Sequence, residues 1–259
     1  MSDKPAAFLF DLDGTLYTDA GPIPGAVEAL AELRRRGVPF RCVTNTTRRS
    51  RRLLAERLAG YGLVVEPAEI ITAVMSGVAL LRSRGVRRVA AYVATETLED
   101  LAAFDLGSAR PEVVVVGDLG EAWDFEKLNQ AFHHLMDGAD LLALQRDRYW
   151  LKGDALALDA GPFVAALEYA TGKTAKVCGK PSADFYQAAV ATLPAAVAAH
   201  PRDVVMVGDD VWGDVQGAQQ AGLTAWMVKT GKFRADVVAA SGITPDRSIS
   251  SVAEVPGLF

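Results

Sequence analysis

Several short apolar runs in this chain stop at a polar residue. Ala6–Phe10 ends at Asp11, Val38–Val43 ends at Thr44, and Val204–Val207 ends at Gly208-Asp209. Each reads as a strand that delivers its last residue to the rim of a sheet. Helix signals lie between them. Pro24–Gly37 has proline near its start, Arg34–Arg36 in its last turn and glycine just beyond. Arg51–Gly60 reads as a second helix, Ile70–Thr72 as a short third strand, Asp214–Ala221 as a helix closed by Gly222, and Thr224–Val228 as a further strand. This alternation predicts an α/β fold: a doubly wound, Rossmann-like parallel sheet with helices on both faces.

Spacing separates this core from an insertion. Few residues lie between Asp13 and Pro24, but well over a hundred lie between Asn45 and Lys180. A helix–strand–helix passage of the core uses about 30 of them, which leaves roughly 100 for a domain of their own. That block carries strand-like Arg88–Val93 and Val113–Val116, helix-like Phe125–Met136 and Pro162–Ala170, and the apolar run Leu141–Leu144. The expected division is a core of residues 1–74 and 176–259, with an α+β domain inserted at 75–175.

Composition narrows the class. The chain has 259 residues, 50% hydrophobic and 23% charged, with a formal net charge of -5. That balance suits a globular protein and argues against nucleic acid or a membrane surface as partner. No apolar run reaches the ~18 residues of a membrane helix. The N-terminus lacks a signal-peptide pattern, and the two cysteines, Cys42 and Cys178, lie in apolar runs. Both observations point to the cytoplasm and to buried free thiols.

The strand ends carry the chemistry. In an open parallel sheet, ligands bind beyond the carboxyl ends of the strands. Asp11, Thr44 and Asp209 can meet there only if the Asp11 strand is central, between the other two. Asp11 and Asp13 sit two apart, and Gly14 lets the chain turn so that both face one reacting phosphorus. An aspartate can attack phosphorus, and a second carboxylic acid can protonate the leaving oxygen. Attack is assigned to Asp11 and acid–base work to Asp13, although Asp-Gly is also common in plain turns. Carboxylates converging on a phosphate need a cation. Mg²⁺ suits an oxygen-only set made of the Asp11 and Asp209 side chains and the Asp13 carbonyl.

Asp214 either orients a metal-bound water or caps the helix that follows. Asp210 is expected to turn away beside Asp209. Thr44 and Asn45, at a strand end before a helix, offer a hydroxyl, an amide and backbone N–H groups to phosphate oxygens, or serve as an ordinary cap. Lys180, between Gly179 and Pro181, can offset charge on Asp11 and on a transferring phosphoryl group, or be a turn lysine. Arg48, Arg49, Arg51 and Arg52 read as a solvated face, or as charges that draw in anionic substrates, and His133, His134 and His200 as structural or exposed.

In order along the chain, Asp11-Leu-Asp13-Gly14-Thr15, Thr44-Asn45, Gly179-Lys180-Pro181 and Gly208-Asp209-Asp210 resemble the motifs of the haloacid dehalogenase (HAD) superfamily of aspartate-nucleophile phosphatases. The insertion resembles the C2-type cap of its subfamily IIA. Thr44-Asn-Thr-Thr, Leu128-Asn-Gln-Ala-Phe132, Gly161–Ala170 and Val228-Lys-Thr-Gly-Lys232 narrow the likeness to a group that includes phosphoamide and pyrophosphate phosphatases. The resemblance implies Asp11 as nucleophile, Asp13 as acid–base, and Thr44, Asn45 and Lys180 on phosphate. It also implies Mg²⁺ on Asp209 with Asp214 in support. A cap would close over a small phosphorylated substrate and often makes a homodimer. The loop Gln145–Lys152 falls where relatives carry a specificity loop, which makes Arg146, Arg148, Tyr149 and Trp150 candidate substrate contacts, with packing or solubility as the plainer reading.

Three other functions compete. A phosphomutase would use the same aspartates. A non-catalytic phosphate or metal sensor is expected to lack a reacting group, yet Asp11, Asp13, Lys180 and Asp209 are all present. A receiver domain phosphorylated on aspartate has no use for the large insertion. The expected function is a Mg²⁺-dependent phosphatase acting through an aspartyl-phosphate.

Overall fold

The computed structural model describes residues 4–152 and 155–259, the side chains of Leu151 and Lys152 excepted. The chain forms two compact units. The first comprises the N-terminal residues to Thr44, Arg51–Ile71 and Lys180–Phe259; the second comprises Asn45–Ser50 and Thr72–Gly179.

The first unit is built on a six-stranded sheet in the order Arg247–Ile249, Thr224–Val228, Val204–Gly208, Ala7–Asp11, Phe40–Thr44, Ile70–Thr72. Ala7–Asp11 is central and runs parallel to both its neighbours, the arrangement the chemistry requires, with Phe10 level with Val207 on one side and Asp11 level with Val43 on the other. All five of its residues are buried. Alternate side chains feed opposite layers, as strand geometry dictates. Phe8 and Phe10 join Val205, Val207 and Trp226 on one face, whereas Ala7 and Leu9 join Val204 and Met206 on the other. The first face is covered by Ala26–Arg35, which buries Ala26, Ala29, Leu30 and Leu33 at helical spacing. The second is covered by Ala183–Val190 through Phe185, Tyr186, Ala189 and Val190. Each such large side chain contributes about 1.5–3 kcal/mol on burial, so the strand that carries Asp11 is held from both sides.

The second unit has a four-stranded parallel sheet in the order Lys176–Val177, Asp140–Ala143, Val113–Val116, Val89–Tyr92. Val113 and Val115 pack with the helix Ala73–Ser83, and Val114 and Val116 with Phe125–Met136 and Ala160–Thr171. An antiparallel hairpin pairs Tyr149–Lys152 with Ala155–Leu158.

The limits of this unit differ from the spacing estimate for packing reasons. Ala73–Ser83 buries its apolar side in this unit, and Lys176–Val177 hydrogen-bonds to Asp140–Ala143, so the unit runs from Thr72 to Gly179. Asn45–Ser50 belongs to it as well. Thr47 accepts the Asp118 backbone N–H at 2.8 Å, and its carbonyl accepts the Thr97 hydroxyl at 2.8 Å. Both cysteines are buried and neither forms a disulfide.

Candidate active site

Parallel strands bring their carboxyl ends to one rim, and in the first unit that rim gathers Asp11, Thr44 and Asp209. Lys180 Nζ donates to Asp11 Oδ1 at 2.5 Å and to Asp214 Oδ1 at 2.7 Å. All three residues are buried. One carboxylate oxygen from each of Asp11, Asp209 and Asp214 lies within 4.8 Å of the others, a set that could hold a metal ion.

The electrostatics follow from this crowding. Burial pushes the Asp11 carboxyl above its usual range, against the pull of Lys180. Burial, then the charges of Asp11 and Asp214, push Asp209 up to about 8. Burial also raises Asp214 to about 6, with Lys180 opposing the rise. For Lys180, burial opposes the charged form, but Asp11 and Asp214 outweigh it and its pKa is raised well above the ordinary value. Three buried carboxylates share one buried ammonium, with the more exposed Lys232 side chain acting on Asp11 and Asp209 only by its charge, so the cluster is short of positive charge, the condition a bound cation relieves.

Asp210 and Asp214 divide their roles in a way the sequence left open. Asp210 caps the turn after the Val204–Gly208 strand, its Oδ1 accepting the backbone N–H groups of Trp212 and Gly213 at 2.9 Å. Asp214 is therefore not the cap. It lies inside a π-helical turn, Val211–Gln216, where a regular helix from Asp214 was expected. Its oxygens accept from Lys180 and from the Asp210 backbone N–H. The Asp210 N–H contact places Asp214 against the strand end, where a Cβ on Gly208 would lie 2.5 Å from the Asp214 Cβ.

Asp13 follows Asp11 on a tight turn, in which Gly14 N–H donates to the Tyr17 carbonyl at 2.7 Å. Its side chain is exposed. Desolvation by the packed surroundings still raises its pKa, against a hydrogen bond from Tyr17 and the charge of Arg57. The Arg57 guanidinium stacks on Tyr17 at 4.9 Å and on Tyr61 at 5.8 Å. The sequence reading missed Tyr17; its signal was a polar-tipped aromatic four residues after Asp13, on a chain already known to turn at Gly14.

Thr44 is buried at the end of its strand. Asn45 belongs to the second unit, where its Oδ1 would lie 2.6 Å from a Cβ on Gly179. Also in the second unit, Arg48 pairs with Asp118 at 3.0 Å and stacks on Trp150 at 5.2 Å while its side chain stays exposed, so the solvated face holds a specific pairing as well. Arg146 pairs with Glu168 at 2.5 Å, Arg148 accepts the Asp159 N–H through its carbonyl, and Tyr149 is exposed. The last two side chains of that loop, Leu151 and Lys152, lie outside the described residues.

Similarity to known proteins agrees with this geometry. The family model described as haloacid dehalogenase-like hydrolase matches residues 8–107, and a second, described as HAD-hydrolase-like, matches 177–255. Haloacid dehalogenase-like hydrolase domain-containing protein 2 of Bos taurus is 42% identical over 229 residues, covering 88% of this chain and 86% of its own. Phospholysine phosphohistidine inorganic pyrophosphate phosphatase of Rattus norvegicus is 35% identical over 259 residues, covering 97% and 93%. The structure of a p-nitrophenyl phosphatase from Archaeoglobus fulgidus superposes with a TM-score of 0.89 at 26% identity, covering 99% of this chain and 100% of that one. With aspartates and a lysine meeting at one sheet rim, and full-length relatives of this kind, the chain belongs to the haloacid dehalogenase-like hydrolases.

Proposed function

We propose that this protein is a Mg²⁺-dependent phosphatase that hydrolyses a small phosphorylated compound through a phosphorylated Asp11. The observation that carries the reading is the Lys180 ammonium held between Asp11 and Asp214 beside the buried Asp209. The phosphatase names of the rat and Archaeoglobus relatives support it.

The donor set fits Mg²⁺: it is all carboxylate oxygen, buried and short of positive charge. Asp11 and Asp209 are the better direct ligands, with the Asp13 carbonyl beside them, because both Asp214 oxygens are already engaged. When bound, the ion would neutralise carboxylate charge and polarise the phosphoryl group.

The chain's own residues do the rest. An Asp11 oxygen attacks phosphorus, the phosphorus–oxygen bond to the leaving group breaks, and the Asp13 proton passes to the departing oxygen. A water then attacks the phosphorylated Asp11 and gives its proton to Asp13, which frees phosphate and restores both carboxyls. Desolvation by the packed surroundings raises the Asp13 pKa above the ordinary carboxylate value, the direction that favours a proton donor. Lys180 keeps the Asp11 carboxylate oriented and offsets charge on the phosphoryl oxygens. Thr44 and Asn45 bind those oxygens, and Asp214 holds Lys180.

The second unit acts as the cap that selects substrate, with Arg146, Arg148, Tyr149 and Trp150 on the candidate specificity loop. It also supports a homodimer through the cap. The helices Phe125–Met136 and Ala160–Thr171 expose Phe125 (83%), Met136 (59%) and Tyr169 (94%). A cytoplasmic protein suits two buried cysteines outside any disulfide, and no described helix is long and apolar enough to cross a membrane.

The test is turnover of p-nitrophenyl phosphate with and without Mg²⁺, alongside Asp11→Asn. Activity should require both the ion and the carboxylate; an Asp11→Asn enzyme with unchanged turnover would end the nucleophile assignment.

A further inference from the structure

The turn Thr230-Gly231-Lys232 follows the strand Thr224–Val228, which neighbours the strand leading to Asp209. Three contacts tie this turn to the site. The Lys232 backbone N–H donates to Asp209 Oδ2 at 2.7 Å. The Thr230 hydroxyl donates to the Gly14 carbonyl at 2.5 Å, which joins the turn to the segment just after Asp13. Gly14 and Gly231 then face each other, with φ of 85° and 58°. A Cβ on Gly231 would lie 2.5 Å from the Gly14 Cα, a Cβ on Gly14 would lie 2.8 Å from the Gly231 Cα, and either would overlap the Asp209 carboxylate.

We infer that Thr230, Gly231 and the Lys232 backbone form a slot that fixes the Asp209 carboxylate and thereby sets the protein's affinity for Mg²⁺. The inference rests on the metal site proposed above. These are positioning residues: none needs to touch the ion. A buried carboxylate held by one oxygen between two glycine backbones has little rotamer freedom left to lose when its other oxygen takes a cation. Removing such outer support costs metal sites roughly 10–100-fold in affinity. The Lys232 side chain is a separate matter. It is 71% exposed and its Nζ lies 3.7 Å from Asp210, so the backbone supplies the contact to Asp209.

Calorimetric titration with MgCl₂ tests the slot, with melting curves recorded in the absence of the ion. Thr230→Val and Gly231→Ala should each bind Mg²⁺ roughly 10–100-fold more weakly than the unaltered protein. Thr230→Ser should restore affinity, because it keeps the hydroxyl. Lys232→Ala keeps the N–H and removes a nearby cation, so it should bind at least as tightly as the unaltered protein. Should Gly231→Ala fail to fold, Thr230→Val decides. A folded Thr230→Val with unaltered Mg²⁺ affinity overturns the slot, even if its melting temperature falls. So does a Lys232→Ala protein weakened as much as Thr230→Val. If the unaltered protein itself takes up no Mg²⁺, the metal site and the slot fall together; a normal isotherm with indifferent variants removes only the slot.

Discussion

Asp214 is joined to the Asp11 carboxylate through one shared ammonium: Lys180 Nζ donates to an oxygen of each, at 2.7 Å and 2.5 Å. The lysine thus neutralises two buried acids at once. Lys180→Met would leave both without their hydrogen-bonded counter-charge, and breaking a buried pair in this way costs about 3–5 kcal/mol. The variant should melt many degrees lower in metal-free buffer, lose nearly all turnover, and recover part of its melting temperature when Mg²⁺ is added. Scanning calorimetry with and without the ion checks this. A metal-free melting temperature equal to that of the unaltered protein would contradict the shared-ammonium account.

A pH effect is expected in the second unit, far in sequence from the catalytic motifs. Asp159 caps the helix Ala160–Thr171 and accepts from the Gln145 amide. Burial, partly offset by the Ala160 N–H, raises its pKa to about 6, with Asp118 and Asp147 adding to the rise. A carboxyl whose folded pKa lies above its unfolded value stabilises the fold most when protonated. That contribution is full below about pH 4 and is lost as pH rises through about 6. Asp159→Asn keeps a capping side chain and removes the titration. Relative to the unaltered protein, its melting temperature should rise progressively between pH 4 and 7, by an amount equivalent to up to roughly 2 kcal/mol. A difference that stays constant with pH would remove Asp159 as the source.

The exposed side chains Phe125 and Tyr169 bear on the proposed dimer. Phe125→Glu combined with Tyr169→Glu should shift the mass measured by sedimentation from dimer to monomer, with the folded core retained. A monomeric unaltered protein would end the dimer proposal; a double variant that stays dimeric would move the interface off these helices.

The sequence disclosed the sheet and its rim because each chemical residue ends a buried strand. Asp11, Thr44 and Asp209 stop apolar runs, and their need to meet already implied that Ala7–Asp11 lies between Phe40–Thr44 and Val204–Gly208. What stayed hidden depends on contacts far apart in sequence. Nothing local distinguishes Asp210 as the cap from Asp214 as the partner of Lys180; that choice is made by Lys180 itself, 34 residues earlier in the chain. The strand Lys176–Val177 is too short to show a pattern and exists because Asp140–Ala143 is there to pair with it. Asn45–Ser50 reads as a loop of the core, yet Thr47 and Arg48 hold it to the second unit through Asp118 and Trp150. The Lys232 N–H on Asp209 is a backbone contact, which side-chain identity does not encode.

The most direct test of the central claim uses Asp13→Asn with p-nitrophenyl phosphate under rapid mixing. The good leaving group needs little help from an acid, so Asp11 should still be phosphorylated, while the second step lacks its base and slows about 10²–10⁴-fold. A burst of nitrophenolate equal to the enzyme present is expected, and peptide mapping of the quenched protein should find the phosphoryl group on Asp11. A steady release with no burst, or a phosphoryl group on any other residue, would contradict it.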